Sequence, residues 1–582
     1  MVYWYIGIAI MSVAIGPSGR NDAYLFNLDT FLSDTPTRMP TNTAVVVGGD
    51  QDTKDLAFMT RDICQTNKYK PFFLYGSGSN QHNQLLLKQS KCATNLKNDD
   101  EAHDLTEILL LVPTTTTTTS PNNTNTTNNT NMNPKKLYAG GGHSALLTQD
   151  GTLYLWGWNE KGQLGRDTDD NDNDMDDTII RKKQERQTYY SSDTIVPPLL
   201  HNNDGRMNVQ HVSLGHSHTL IIESDTGRLY AFGDNNRGQV TGSSSSSSPT
   251  TDDDGNVISY VATPTTPTLA KDMQFIDASA GLFHSAAIAH DGSELITFGC
   301  HRFSQCIRST DTTTSDSSSN RWKPSDGSRL VKVVCGRRHT TILDDYGRIW
   351  TLGENKYGQL GRNKSCDESS SSTSNTPQLV DGILGTKHSG CFDIDCGWSH
   401  NVAFVRRKTV EPINNNDDDD DDDNEDASSL PSTTMNVYGW GRNDKGQLGV
   451  ASSSSSSSSS QLQQGNNPHN PHITSPQLLC QDTMSVGIKK FCCGSEYSMA
   501  LDENNDIWGC GWNEHGNLSL GDNSDSRCME DGNAMTLTKL SSTTNKMIVA
   551  PPSPTHPNHK GTGGTGEILM AAGGAHFLVT MT

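Results

Sequence analysis

The sequence predicts an all-β fold: a seven-bladed β-propeller, closed by N- and C-terminal strands that share one blade, with long disordered loop insertions. Two short phrases recur in fixed order along the 582 residues, with a tight-turn signal between them. Motifs that recur in phase at intervals of tens of residues are typical of repeat architectures. Short antiparallel sheets repeated around an axis form a propeller, in which few strand edges stay exposed.

The first phrase is Gly-x-x-His followed by an apolar run. It begins at seven glycines: Gly140, Gly215, Gly281, Gly336, Gly397, Gly494 and Gly573. Its fourth position is a histidine six times and a tyrosine once: His143, His218, His284, His339, His400, Tyr497 and His576. One histidine per copy places these rings around a circle, so they cannot converge on a metal or a reacting group. We expect each to tie its strand to a neighbouring backbone group.

The second phrase is Gly-x-Asn, a short variable stretch, then Gly-Gln-Leu. Its leading glycine aligns in seven copies: Gly78, Gly157, Gly233, Gly299, Gly353, Gly441 and Gly511. These glycines supply positive φ or room for close packing. The asparagine and glutamine columns are expected to make turn and inter-strand hydrogen bonds.

The stretch between the phrases predicts a β-hairpin. Asp150-Gly151 and Asp291-Gly292 separate pairs of apolar runs. Asp-Gly favours a two-residue turn because both turn positions need positive φ.

The ends of the chain carry complementary halves of one repeat. The copy at Leu74–Leu87 has only the second phrase, and the copy at Ile568–Thr580 has only the first. We therefore expect strands within 568–582 to complete the blade begun at 71–87. Such closure removes exposed strand edges that would otherwise pair with other chains.

The two phrases together resemble the repeat of the regulator of chromosome condensation family. The resemblance covers about residues 72–582 and implies a seven-bladed propeller. WD repeats and kelch repeats fit less well, because their Gly-His…Trp-Asp and Gly-Gly signatures are missing. A weaker likeness, carried by Gly511–Asn517 and Tyr75–Asn80, points to the branch of the secretion-regulating guanine-nucleotide exchange factor and the fungal alpha-tubulin suppressor.

Residues 1–70 lack the repeat and form an N-terminal extension, while 71–582 form the propeller. Low-complexity segments interrupt the repeats, and their composition predicts disorder because they cannot bury enough apolar surface. These inserts lie near 114–133, 167–190, 243–258, 309–325, 366–376, 408–434, 451–475 and 522–565. Most of them follow the second phrase, so we expect them near one rim and a partner on the other, cleaner rim.

The formal net charge of −22 resides mostly in two inserts. Seven aspartates lie in Asp167–Asp177, and nine acidic residues lie in Asp417–Asp426. Because no basic face is visible, direct DNA binding is not expected. The apolar stretch Val2–Gly16 is too short to span a bilayer, and none of the 13 cysteines forms a Cys-x-x-Cys motif. These features predict a cytoplasmic or nuclear monomer without cofactor, metal or membrane attachment.

The two residues between Gly and His differ most among the copies, and in the family they point toward a propeller face. Three consecutive copies place Phe283, Arg337, Arg338 and Trp398 there. Arginine and aromatic residues dominate the energetics of protein interfaces. We therefore take these four as candidate partner-binding residues.

No nucleophile–base pair and no phosphate-binding loop occurs in the sequence, so no catalytic residue is assigned. The first functional hypothesis is a non-catalytic interaction scaffold or regulatory subunit. The resemblance implies two alternatives. One is a guanine-nucleotide exchange factor for a small GTPase. The other is a partner of a small zinc protein in tRNA wobble-uridine and diphthamide modification.

Overall fold

A computed structural model of the chain describes fifteen stretches of the sequence. They are 44–48, 69–82, 84–85, 101–113, 133–165, 194–195, 207–242, 259–307, 320–362, 373–406, 435–450, 472–479, 487–520, 533–540 and 567–582.

The described residues form 29 β-strands and two short 3-10 helices, Thr268–Ala270 and Ile383–Gly385. The strands, in chain order, are β1 (Ala44–Gly48), β2 (Tyr69–Ser79), β3 (Glu101–Pro113), β4 (Pro134–Ala139), β5 (His143–Thr148), β6 (Leu153–Gly157), β7 (Thr194–Ile195), β8 (Val209–Leu214), β9 (His218–Glu223), β10 (Leu229–Asp234), β11 (Tyr260–Thr265), β12 (Phe275–Ala280), β13 (His284–Ala289), β14 (Leu295–Gly299), β15 (Arg321–Trp322), β16 (Leu330–Cys335), β17 (His339–Asp344), β18 (Ile349–Glu354), β19 (Thr373–Leu379), β20 (Cys391–Cys396), β21 (His400–Arg406), β22 (Met435–Gly441), β23 (Ile473–Leu478), β24 (Ile488–Cys493), β25 (Tyr497–Asp502), β26 (Ile507–Gly511), β27 (Ala534–Lys539), β28 (Ile568–Ala572) and β29 (His576–Met581).

Each repeat folds into a small antiparallel sheet whose strands follow chain order. Three of these sheets are complete four-stranded units: β8 to β11, β12 to β15 and β16 to β19. The unit β4-β5-β6 has three strands in the described residues. Two further units, β20 to β23 and β24 to β27, are joined into one sheet by the single pairing of Met435 with Ile488. The predicted all-β propeller is confirmed.

The units pack in a closed ring through their first strands. Each of β4, β8, β12, β16, β20, β24 and β28 contacts the next, and β28 contacts β4. This arrangement is consistent with the seven blades that the sequence predicts.

The two ends of the chain meet in one sheet, as predicted. Strand β29 pairs antiparallel with β2, with Leu74 opposite Thr580 and Gly78 opposite His576. The order in this sheet is β28-β29-β2-β3, so the C-terminal strands form its inner half and the N-terminal strands its outer half. Closure therefore depends on residues separated by nearly the whole chain.

The second strand of each unit is buried on both faces, because neighbouring sheets pack against it from either side. In β5, β9, β13, β17 and β25 every residue is buried. Each of these strands begins with His-Ser, His-Thr or Tyr-Ser and continues into a run of buried apolar residues without polar alternation, as sandwiched strands do. The largest fully buried side chains include Trp156, Trp440 and Tyr497.

Four of the predicted inserts reach too far, because they include strands of the propeller. The segments 309–325, 366–376, 451–475 and 522–565 contain all or part of β15, β19, β23 and β27. These outer strands are short and polar, so composition alone cannot separate them from the flanking low-complexity sequence. The inserts 167–190, 243–258 and 408–434, and residues 114–132 of the insert near 114–133, lie outside the described residues.

The N-terminal extension contributes one described strand. Strand β1 pairs with β3 at the outer edge of the shared sheet, and with β7 beyond it. The propeller itself begins at Tyr69, two residues before the predicted boundary. In the part of the chain that the structure describes, no helix is long and apolar enough to cross a bilayer.

Deleting residues 568–582 should abolish cooperative unfolding, because it removes both inner strands of the shared sheet and exposes the edge of β2. The measurement is urea denaturation followed by circular dichroism. Deletion of 417–426, which removes no described strand, is the control. An unchanged transition after loss of 568–582 would refute the shared sheet.

Candidate functional site

The glycines of the first phrase form the centre of the ring. A Cβ atom on Gly215 would lie 2.7 Å from the carbonyl oxygen of Gly281, and one on Gly573 would lie 2.6 Å from that of Gly140. Real Cβ atoms do not come so close to backbone oxygen. The column therefore consists of glycine because the backbone of the next unit occupies the place of a side chain.

Each histidine of the first phrase bonds the next unit in the ring. His143 Nε2 lies 3.0 Å from Thr219 Oγ1, and that hydroxyl donates to the Gln163 carbonyl at 2.8 Å. The same relay recurs in five more copies: His218 to Ser285, His284 to Thr340, His339 to Asn401, His400 to Ser498 and His576 to Ser144. The partner is a side chain of the next unit and not the backbone group that the sequence suggested.

The relay determines which ring nitrogen carries the proton. The Thr219 hydroxyl has one hydrogen, which goes to Gln163, so His143 Nε2–H must donate to Thr219. Asn401 agrees, because its Oδ1 faces His339 Nε2 while its amide donates to the Gln359 carbonyl. Burial lowers the pKa of His143, His218, His284, His400 and His576 to about 3, and that of His339 to about 4. The six rings are therefore neutral.

The copy with tyrosine is accommodated by a matching change in its neighbour. The next unit carries Phe577 where the others have a hydroxyl or an amide, so the relay has no acceptor there. The Tyr497 hydroxyl extends beyond the position of a histidine Nε2 and donates to the His576 backbone carbonyl oxygen at 2.5 Å. Ser77 supplies the missing hydroxyl by donating to the Asn517 carbonyl at 3.3 Å.

The second phrase folds into a loop on the same face. Gly157 has φ of 103°, and a Cβ there would lie 2.6 Å from the Gly142 carbonyl oxygen. The other leading glycines, Gly78, Gly233, Gly299, Gly353, Gly441 and Gly511, also have φ between 104° and 116°. Asn159 Oδ1 accepts from the Leu164 amide at 2.9 Å, and Gln163 Oε1 accepts from the Lys161 amide at 2.9 Å.

Aromatic side chains of several units meet across the centre of this face. The rings of His82 and Trp158 stack at 5.0 Å, Trp158 contacts His216 at 6.0 Å, and His216 contacts Trp398 at 6.3 Å. His216 and Trp398 belong to units that are not neighbours in the ring, so their contact crosses the centre of the ring. The Arg337 guanidinium lies 5.1 Å from the Trp398 ring centre. We call His82, Trp158, His216, Arg337 and Trp398 the mouth cluster.

The structure divides the four candidate residues into two groups. Arg337 and Trp398 lie in the mouth cluster. Arg338 occupies the next column outward, where it stacks on Phe303 at 3.9 Å and pairs with Glu354 at 3.3 Å. Phe283 shares that outer column and is half-buried, and none of the aromatic or cation–π contacts of the described residues joins it to the other three. The four are therefore not side by side.

Sequence reasoning missed His82, Trp158 and His216 as members of the cluster. His216 occupies the column of Arg337 and Trp398, and Trp158 directly follows the leading glycine of the second phrase. The sequence shows that these residues occupy corresponding positions of the repeats. Which of their side chains touch depends on the geometry of the ring. Burial, and then the nearby Arg337 charge, lower the pKa of His216, so this imidazole is neutral as well.

The mouth cluster and the insert-bearing connections lie at the same end of the strands. Gly233, which starts the second phrase, pairs with His218 on one side and Val261 on the other. The chain leaves the described residues at Gly242 and returns at Ser259, close to this end. The expectation of a partner site on the cleaner rim is therefore at odds with the position of the candidate residues.

Among the described residues, no group of three His, Cys, Asp or Glu side chains could hold a metal ion. The Nε2 atoms of the six central histidines make hydrogen bonds between units. The described face presents aromatic, guanidinium and amide groups.

A closed ring of short sheets with Gly-x-x-His at its centre defines a repeat propeller of the regulator of chromosome condensation type. The family described as RCC1-like domain matches residues 73–550. The chain belongs to this family.

Curated relatives share about a quarter of their residues with the chain. Ultraviolet-B receptor UVR8 of Arabidopsis thaliana is 23% identical over 66% of this chain and 67% of its own length. The secretion-regulating guanine nucleotide exchange factor of Bos taurus is 25% identical over 67% and 69%. The match to human probable E3 ubiquitin-protein ligase HERC3 is 28% identical over 47% of this chain but covers only 26% of that protein.

Solved structures agree on the fold. Prp20p of Saccharomyces cerevisiae, whose structure was described with its binding to Gsp1p and histones, aligns with a TM-score of 0.55 at 15% identity. The alignment covers 89% of this chain and 94% of Prp20p. Human WBSCR16 aligns with a TM-score of 0.53 at 14% identity, over 87% and 98%.

Replacing Gly281 by alanine should lower the free energy of unfolding by at least about 2 kcal/mol, because its Cβ would meet the Gly336 carbonyl oxygen at 2.6 Å. The control is Gly327→Ala, where φ is 74° but no atom lies within 4 Å, so only backbone strain of about 1 kcal/mol is expected. Urea denaturation compares the two. Equal costs would contradict the steric role of the central glycines.

Acidification should destabilise the propeller between about pH 6.5 and pH 3. The unfolded chain protonates its histidines near pH 6.5, while the folded pKa of five of them is about 3. The unfolded state thus binds more protons in this window, and stability falls as the pH is lowered.

Replacing His143 by glutamine should make the slope of unfolding free energy against pH shallower by about 1.4 kcal/mol per pH unit in this window. Gly281→Ala is the matched control, because it destabilises the ring but keeps all six histidines. An unchanged slope in His143→Gln would show that this ring does not titrate on unfolding.

Proposed function

We propose that this chain is a non-catalytic scaffold that holds a protein partner on the face formed by the Gly-x-x-His loops. The observation that carries the proposal is the mouth cluster. Arg337 lies over Trp398, and both are half-buried at the channel opening. Arginine and tryptophan in a partly desolvated, rigid setting are the residue types most enriched at interface hot spots.

Rigidity of the surrounding frame supports this role. The Arg337 amide donates to the Trp398 carbonyl at 2.9 Å, and the Trp398 amide donates to the Ser495 carbonyl at 2.9 Å. The backbone beneath the cluster is therefore bonded through three consecutive units. A surface that is held in place before binding loses less conformational entropy on association.

Guanine-nucleotide exchange on a small GTPase is the second candidate. It is favoured by the match to the bovine secretion-regulating guanine nucleotide exchange factor, which covers more than two thirds of that protein. Exchange needs no proton-transfer residue. A factor that binds the nucleotide-free GTPase better than the loaded form shifts the equilibrium toward nucleotide release.

The remaining features of the proposal follow from composition. We place the protein in the cytoplasm or nucleus as a monomer, without cofactor or direct DNA contact. In the described residues, eight cysteines are free thiols, which fits a reducing compartment. The alternative of a small zinc protein as partner, in tRNA or diphthamide modification, has no specific observation in its favour.

The deciding experiment uses the purified full chain as bait in cell lysate that has been stripped of nucleotide with a chelator, and again with excess GTP and magnesium. Under the scaffold proposal the same partner is captured in both lysates. Capture of a small GTPase only from the stripped lysate would reject the scaffold in favour of an exchange factor.

The double variant Arg337→Ala, Trp398→Ala should weaken binding of the captured partner by about 30-fold or more, the effect of losing a hot spot. Its melting temperature should stay within a few degrees of wild type. Arg237→Ala is the control, because Arg237 is exposed on the same face and outside the mouth cluster. Loss of stability in parallel with binding would mean that the two residues only pack the ring.

A further inference from the structure

Three polar atoms in the mouth cluster are buried without a hydrogen-bond partner in the described part of the chain: Trp158 Nε1, His216 Nδ1 and Arg337 Nε. Buried polar groups are nearly always paired, and each exception calls for an explanation. A buried donor without a partner has lost its hydrogen bond to water and gained none in return, which destabilises the folded state. Two of the three atoms, Trp158 Nε1 and Arg337 Nε, carry N–H groups, and their position in one run of touching rings indicates a site whose acceptor comes from outside the propeller.

The charge of the cluster is also uncompensated. None of the ion pairs of the described residues involves Arg337, whereas Arg338, next to it in sequence, pairs with Glu354. The Trp398 ring contacts one side of the Arg337 guanidinium, and His216 is neutral. Arg337 therefore supplies one positive charge, and Arg337 and Trp158 supply two N–H donors, between aromatic rings.

We propose that the mouth cluster binds the carboxylate of a single aspartate or glutamate side chain of the protein partner. A carboxylate carries one negative charge, which matches the one free guanidinium, and it accepts hydrogen bonds in the plane where guanidinium and indole N–H groups donate. A phosphate dianion would leave a net negative charge among apolar rings. This inference rests on the proposed scaffold function and identifies the chemistry that its partner must present.

The test is a ¹⁹F NMR titration of the full chain labelled with 5-fluorotryptophan. The probe is a capped Gly-Ser-Glu-Ser-Gly peptide, compared with the same peptide carrying Gln in place of Glu. The Glu peptide should shift the Trp398 resonance in a saturable way, with an affinity about tenfold above that of the Gln peptide. Trp398→Phe assigns the resonance.

Matched variants locate the effect. Arg337→Gln should abolish the preference for Glu, and Trp158→Phe, which keeps an aromatic ring but removes the N–H, should weaken binding several-fold. Two controls should leave it unchanged. Trp512→Phe removes an indole whose N–H is already paired with Glu514 at 3.1 Å, and Arg237→Gln removes one exposed positive charge from the same face.

Equal affinity for the Glu and Gln peptides would overturn the assignment. Displacement of the bound Glu peptide by inorganic phosphate at equal concentration would also overturn it. A third contrary result would be a change in the Trp398 ¹⁹F shift on deleting residues 417–426, together with no response of that resonance to the peptide. The last would make the chain's own acidic segment the occupant. Failure of the peptide to bind, while Arg337→Ala with Trp398→Ala still impairs partner capture, would reject the carboxylate but leave the scaffold function standing.

Discussion

The close approach of backbone at the centre of the ring is the constraint on which the rest of the structure depends. A Cβ on Gly281 would meet the Gly336 carbonyl oxygen, and one on Gly336 would meet the next at Gly397. The same absent Cβ leaves room for the histidine ring of its own unit, since a Cβ on Gly336 would lie 2.5 Å from His339 Nδ1. Glycine thus sets both the distance between units and the position of the imidazole. Because the imidazole is fixed, its Nε2–H donates to one side chain of the next unit. That side chain belongs to the residue directly after the histidine in the sequence of that unit.

The glutamine carbonyl of the second phrase joins this relay to the core. Gln359 accepts from the Asn401 amide at 2.9 Å and from the Trp440 indole at 3.1 Å, so one oxygen serves two side chains of the next unit. Where Phe577 interrupts the column, Tyr497 and Ser77 restore the two bonds by different routes. Hydrogen bonds therefore join these two units as well, although different residues make them. This satisfaction of buried polar groups is what the folded state requires.

The fold and its closure could be predicted from sequence because the phrases repeat in phase, and half-repeats at Leu74–Leu87 and Ile568–Thr580 are complementary. The sequence also shows that a hydroxyl or amide residue follows five of the six histidines, and Tyr497 as well. It does not show that this residue accepts a hydrogen bond from the histidine of the preceding unit. The outer strands escaped prediction because β15 and β19 are polar and border Ser- and Thr-rich segments. The contact of His216 with Trp398 joins units that are far apart in sequence, and only the diameter of the ring brings them together.

Some positions of the repeat carry the same residue in nearly every unit, and others differ from unit to unit. The positions that differ are those where this face can acquire binding residues. Glycine, histidine and glutamine are held by contacts between units, so substitutions there cost stability. The residue after the first glycine differs between units: it is Gly141 where a Cβ would lie 2.4 Å from the His216 carbonyl oxygen, and it is arginine at Arg337 and tryptophan at Trp398, where the side chain reaches the mouth cluster. Burial keeps His339, His400 and His216 neutral, so Arg337 supplies a positive charge beside Trp398 at the centre of this face.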